Sequence, residues 1–268
     1  LKDAPVGNDL PERFAPLEEA LASRKRSGQL RTLDYFHPLD DGPHIRRGEE
    51  HLLNFSSNDY LGLAMDPVVR ERAAFYAERF GGGATSSRLI SGGFEIHRNL
   101  ESSLANFTGR ESALLFSTGY QANVSILPAL VGRNGLILCD RMCHNSLLQG
   151  ALLSRGTVHR FRHNDPGHLE ELLLSEEGRG LSPVLIVTES LFSMDGDRAP
   201  LEKIAEVAER HGALLMVDDA HALGVWGPQG EGLAAAHPRI DLIIGTFGKA
   251  LGSSGAFVAC STLVRDYL

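Results

Sequence analysis

Lys249 lies in "TFGKALGSSGAF" (246–257), a run of small and apolar residues, and is one of only four lysines (Lys2, Lys25, Lys203, Lys249) among 26 Lys and Arg residues. The other three have polar neighbours that suit a solvated surface. An amine held among apolar groups is desolvated, which lowers its pKa and frees a lone pair. Arginine cannot stand in, because its guanidinium does not deprotonate in a protein. Residue type and setting point to amine chemistry, most simply a Schiff base with a carbonyl compound. The alternative is a snorkelling lysine or the partner of a buried acid.

Further reactive groups recur in one kind of place, just after a short apolar run. Ser117-Thr118-Gly119-Tyr120 follow "ALLF" (113–116), and Asp140 and His144 follow "LILC" (136–139). Thr188, Glu189 and then Ser193-Met194-Asp195-Gly196-Asp197 follow "VLIV" (184–187). Asp218, Asp219 and His221 follow "ALLMV" (213–217), while Thr246 and Lys249 follow "LIIG" (242–245). A carboxylate such as Asp218 suits the ring nitrogen of pyridoxal phosphate, which must stay protonated for the ring to accept carbanion electrons. Gly119 and Tyr120, opening a helix, would offer backbone N–H groups to a phosphate. Thr246, Ser253 and Ser254 could add hydroxyls, His144 could stack on a ring, and His221 could bond a phenolic oxygen. Singly, each has a plainer reading as a turn cap, a core histidine or a strand terminator. Asp218, Asp219, His221 and His144 would also suit a zinc or manganese hydrolase, a reading that leaves Lys249 unexplained.

The elements that must position these groups can be read from hydrophobic spacing. Continuous rather than alternating apolar runs mean strands covered on both faces, hence an α/β fold with a mainly parallel sheet flanked by helices. In such sheets ligands sit beyond the carboxyl ends of the strands, where the residues above fall. "PVVRERAAFYAERFGGG" and "EIHRNLESSLANFTG" read as amphipathic helices, the second with Ile96, Leu100, Leu104 and Phe107 on one face and Gly109 as its stop. "LEKIAEVAERHG" reads as a helix with Leu201, Ile204, Ala205 and Ala208 inward. Residues 1–50 read as a separate N-terminal helix and arm, with Phe14, Leu17 and Leu21 on one helical face, then turns and a small hairpin. Residues 51–268 read as the large α/β domain.

A 268-residue chain with 43% hydrophobic and 22% charged residues has the balance of an ordinary globular protein. Its net charge of −8 weighs against nucleic acid or an anionic membrane as partner. No apolar stretch reaches the length of a membrane span, residues 1–20 lack the apolar core of a signal peptide, and three cysteines suit a reducing cytoplasm. Cys139 and Cys143 lack a second cysteine pair, so packing rather than metal binding is expected of them, and no metal is expected in the site.

Taken in order, "SNDYLGL" (57–63), "GGGATSSRLISG" (81–92), "HRNLE" (97–101), "FSTGYQAN" (116–123), "DRMCHNSLLQG" (140–150), "TESLFSMDGDRAPL" (188–201), "VDDAHALGVWGPQGEG" (217–232) and "TFGKALGSSGAF" resemble the α-oxoamine synthases. These are fold-type I pyridoxal-phosphate enzymes that join an amino acid to an acyl thioester with loss of carbon dioxide. Within the family, "NFSSNDYLGL", "RHND", "FSMDGD", "LMVDDAH" and "TFGK" are most similar to the member that uses L-alanine and a pimeloyl thioester. Sister enzymes using glycine or serine are the alternative. The resemblance implies that Lys249 forms the Schiff base and later removes the α-proton, and that Asp218 pairs with the pyridine nitrogen. It implies that His144 stacks on the ring and His221 contacts the phenolic oxygen. Gly119, Tyr120, Ser193 and Thr246 fall at cofactor contacts, Arg31 at the acyl substrate, and Asn58 and Glu189 near the reacting centre. It further implies a homodimer with the site at the interface, and a small C-terminal domain beyond Leu268 that holds the amino-acid carboxylate. "GGGATSSRLISGG" is too long and arginine-bearing for a simple turn, so Arg88 or its neighbours are expected near the partner's site. One departure is Leu223, where the family usually carries a small hydroxyl residue.

Overall fold

The computed structural model describes residues 12–40 and 42–268. Lys2 and the first eleven residues of the expected arm lie outside the described residues. Two compact units divide the chain, one ending at Leu53 and the other containing Asn54–Leu268.

In the first unit, α1 (Ala15–Arg26) has a proline in its first turn, Glu18 near its start, and Arg24, Lys25 and Arg26 in its last turn. Each choice suits helix geometry or the helix dipole. Leu17 and Leu21, expected on an apolar face, are 61% and 53% exposed. The expected hairpin is a three-stranded antiparallel sheet of β1 (His37–Pro38), β2 (His44–Arg47) and β3 (Glu50–Leu53).

The second unit opens with α2 (Pro67–Phe80), capped by the Asp66 carboxylate accepting from the N–H groups of Val68 and Val69. Next comes α3 (Glu95–Thr108), ended by Gly109 in the left-handed region at φ 65°. The remaining strands are β4 (Ser112–Phe116), β5 (Leu136–Asp140), β6 (Thr157–Phe161), β7 (Val184–Glu189), β8 (Leu214–Asp218), β9 (Leu242–Thr246) and β10 (Ala256–Cys260). Helices α4 (Gly119–Leu130), α5 (Asn145–Leu153), α6 (Pro166–Glu176) and α7 (Leu201–Arg210) lie between them in sequence, and α8 (Thr262–Tyr267) comes after β10. The seven strands form one sheet in the order β4-β10-β9-β8-β7-β5-β6. Only β10 runs against the others, pairing antiparallel with both β4 and β9.

All five apolar runs are strands, as expected, and two strands were not read from the sequence. β6 mixes polar residues with apolar ones because much of it is only half-buried. β10, "AFVAC", is fully buried, but its alanines and short length hide it. The covered sheet results from alternation within each apolar run. Leu136, Leu138, Ile186, Leu215, Val217 and Ile243 join one core cluster. Ile137, Cys139, Leu185, Val187, Met216, Leu242 and Ile244 join the other. At about 25 cal/mol per Å² of apolar surface removed from water, burial on both faces makes each of these strands a stabilising element. On α7, Leu201, Ile204, Ala205 and Ala208 are buried as expected. On α3, Leu104 is buried, whereas Leu100 is 41% exposed.

Candidate functional site

The carboxyl ends of β5, β7, β8 and β9, with the start of α4, surround a cavity of about 170 Å³. Gly119, Tyr120, Asn123, His144, Ser146, Glu189, Asp218, Ala220, His221, Ile244, Thr246 and Lys249 line it. Strand pairing sets the arrangement, since Glu189 is in register with Asp218, and Asp218 with Ile244. At the cavity's edge the Thr118 hydroxyl caps α4 by accepting from the N–H of Gln121 at 3.0 Å. Gly119 and Tyr120 therefore hold the first helical positions, whose N–H groups have no partner within the helix and favour an anion.

Asp218 is held rather than loose. Its Oδ2 accepts from Asn123 Nδ2 at 3.0 Å and its Oδ1 from the N–H of Ala220 at 3.1 Å. Asn123 also donates to Ser146 Oγ at 2.9 Å, and Ser146 Oγ lies 2.7 Å from His144 Nδ1. This bridge exists because α4 and α5 approach closely. A Cβ on Gly150 would lie 2.4 Å from the carbonyl oxygen of Asn123, so only glycine fits there. The backbone N–H of His144 donates to Glu189, which ties the turn after β5 to the end of β7. Burial, with the Asp218 carboxylate nearby, pushes the Glu189 carboxyl up to about 8. Glu189, which lines the cavity, is thus largely protonated near neutral pH.

Lys249 comes just after β9 and its Nζ lies 2.7 Å from His221 Nε2. Burial lowers the pKa of the amine, against the pull of the Asp218 carboxylate. Burial also lowers His221, to about 4, so its ring is neutral. The other ring nitrogen, Nδ1, lies 2.7 Å from the hydroxyl of Tyr60, which donates to Asn58 Oδ1 at 3.1 Å. The loop after Lys249 packs on the turn that carries Tyr60. Gly252 has φ +58°, and a Cβ there would lie 2.3 Å from the backbone nitrogen of Ala64.

The fold thus brings Lys249, His144, Asp218, His221, Gly119, Tyr120, Thr246 and Glu189 around one cavity. Asn58 reaches it through Tyr60. Ser193 does not line it but lies on an exposed turn beyond β7, and Arg31 is an exposed residue of the first unit. Asp219 turns away, accepting from the Ser190 hydroxyl and from the N–H groups of Leu233 and Ala234. That takes one ligand from the hydrolase set, and among the described residues no group of His, Cys, Asp and Glu is arranged to hold a metal ion. Leu223 is buried in the core, so the departure at this position changes packing and not the cavity lining. Sequence reading missed Asn123, Ser146 and Tyr60. Asn123 is one helical turn beyond Gly119, so i, i+4 spacing from the candidate phosphate end was the available signal.

The residues fit pyridoxal phosphate by the chemistry of their groups: a buried carboxylate for the ring nitrogen, a desolvated amine for the aldehyde and a helix start for the phosphate. The 8-amino-7-oxononanoate synthase of Gluconacetobacter diazotrophicus is 48% identical over 96% of this chain and 66% of its own length. That of Anaeromyxobacter sp. is 46% identical over 94% of this chain and 63% of its own length. The chain therefore spans a little under two thirds of the length of these relatives. A serine palmitoyltransferase from S. paucimobilis, solved with a bound PLP–myriocin aldimine, superposes with a TM-score of 0.84 at 31% identity, covering 97% of this chain and 66% of that one. This likeness bears out the expected fold-type I architecture. The pattern of the family described as "Aminotransferase class I and II" matches residues 50–268, and the chain belongs to that family.

Proposed function

We propose that this chain supplies the pyridoxal-phosphate site of an acyltransferase. The reaction joins L-alanine to a pimeloyl thioester, with loss of carbon dioxide, to give 8-amino-7-oxononanoate, a step of biotin synthesis. The observation that carries the reading is the meeting of the Lys249 amine, the Asn123-braced Asp218 carboxylate and the α4 start around one cavity. Pyridoxal phosphate, when bound, supplies the electron sink for charge developed at the amino acid's α-carbon. Asp218 would keep the proton on the ring nitrogen, and its two hydrogen bonds fix its carboxylate in place. Lys249, its Nζ beside His221, would hold the cofactor at its aldehyde carbon and would take up the α-proton at Nζ. Its lowered pKa places it nearer the operating pH for that transfer. His144 would cover the ring face and Gly119 and Tyr120 would hold the phosphate, with Thr246 lining the same cavity. His221 would serve the phenolic oxygen, and Glu189 and Asn58 would stand by the reacting centre.

The sequence relatives named above favour alanine, while the structural likeness to a serine palmitoyltransferase favours a sister reaction with serine. Release of the thiol from pimeloyl-CoA, measured with alanine, glycine and serine in turn, decides between them. Alanine should lead by at least about tenfold, the usual worth of a methyl group missing from a fitted apolar pocket or of a hydroxyl forced into one. Faster turnover with glycine or serine would overturn the alanine assignment.

The proposal includes residues 1–50 and 51–268 as arm and cofactor domain, a cytoplasmic setting and a homodimer. The three free cysteines suit a reducing compartment, and among the described residues no helix is long and apolar enough to cross a membrane. Arg88 is engaged within the chain by Glu101 at 2.6 Å. Its neighbours Leu89 and Ile90 are 92% and 81% exposed, which a second copy would cover.

A further inference from the structure

The hydrogen-bond chain from Asn58 to Lys249 admits only one order of protons. The Tyr60 hydroxyl has a single hydrogen, and its contact with Asn58 Oδ1, at 3.1 Å, uses it, because an amide oxygen only accepts. The 2.7 Å contact between Tyr60 Oη and His221 Nδ1 must then be donated by Nδ1. A neutral imidazole carries one N–H, so Nε2 is bare. The 2.7 Å contact from Lys249 Nζ to Nε2 is therefore an N–H of the lysine donating to the ring. In the opposite tautomer Nε2–H would donate to Lys249, and the lone pair that attacks a carbonyl carbon would be tied up.

We propose that Tyr60, oriented by Asn58, is a positioning residue that fixes His221 as its Nδ1–H tautomer and so leaves the lone pair of Lys249 free. The local backbone suits this role. The turn carrying Tyr60 is pinned by the Asp59 carboxylate, which accepts from the N–H of Ala64 at 3.2 Å, and by the N–H of Gly62, which donates to the carbonyl of Asp59 at 3.1 Å. Burial raises the pKa of Tyr60, so the hydroxyl keeps its hydrogen. This inference rests on the proposed attachment of pyridoxal phosphate to Lys249, but its first test does not need the cofactor.

Nitrogen NMR of the cofactor-free full chain, labelled at histidine, reads the tautomer of His221 directly. The expected result is a protonated Nδ1 and a bare Nε2. Tyr60→Phe, and separately Asn58→Ala, should shift the ring toward a protonated Nε2, the first by removing the acceptor at Nδ1 and the second by freeing Tyr60 to donate. Both variants should also attach pyridoxal phosphate more slowly, by about five- to tenfold, since a hydrogen bond to the lone pair must first break. A wild-type ring protonated at Nε2 would overturn the proposal, as would an unchanged ring in whichever of the two variants folds. Failure of the wild-type protein to attach the cofactor at Lys249 would instead sink the functional reading and leave the tautomer result standing.

Discussion

Replacing Glu189 by Gln should remove a fall in stability that the cofactor-free protein shows as pH rises from 6 to 8. The carboxyl titrates near 8 in the fold, raised by burial and by Asp218, against about 4.5 when unfolded. Between these values the folded state binds one more proton than the unfolded chain, so stability declines with pH by about 1 kcal/mol per unit. The contribution is complete below the unfolded pKa and is lost once pH has passed through the folded one. Glutamine keeps the acceptor for the N–H of His144 but cannot titrate. Across pH 6 to 8 the wild type should lose about 2 kcal/mol relative to Glu189→Gln. Urea unfolding at pH 6, 7 and 8 measures the difference, and titrations shared by both proteins cancel. Parallel pH profiles would refute the claim that Glu189 is a neutral buried acid.

Gly150→Ala should cost about 1–3 kcal/mol, because the added methyl drives α5 off the backbone of Asn123. Urea midpoints report that cost, and weaker cofactor binding should accompany it through the loss of the brace on Asp218. His163 bridges Asp140 and Asp197 at 2.8 Å each. Burial lowers its pKa, but the two carboxylates outweigh this and the net shift is upward. The stability it adds is present at low pH and fades as pH rises through the folded pKa. His163→Ala should therefore cost about 2 kcal/mol at pH 6 and less at pH 9, as read from thermal unfolding at the two pH values.

Legibility in the sequence tracked the sheet. Lys249, Asp218, Glu189 and His144 could be found because a buried parallel strand announces itself as an apolar run and delivers the next few residues to one edge. Asn123, Ser146 and Tyr60 were hidden because their contacts join segments far apart in the chain, Tyr60 meeting His221 across 161 positions. Nothing in "SNDYLGL" taken alone says which face its tyrosine will meet. Ser193 shows the limit of the strand-end rule. It comes four residues after β7 ends, far enough for the backbone to turn out to an exposed position. Leu17 and Leu21 show another limit, since helical spacing predicts an apolar face but not what covers it.

The central claim is that the amine of Lys249 joins the aldehyde of pyridoxal phosphate. Loading the protein, reducing it with borohydride and sequencing its peptides by mass spectrometry locates the bond. A visible absorption band is expected before reduction, and one pyridoxyl group afterwards, on the peptide carrying Lys249. A label on Lys25 or Lys203, or no label on any lysine, would contradict it.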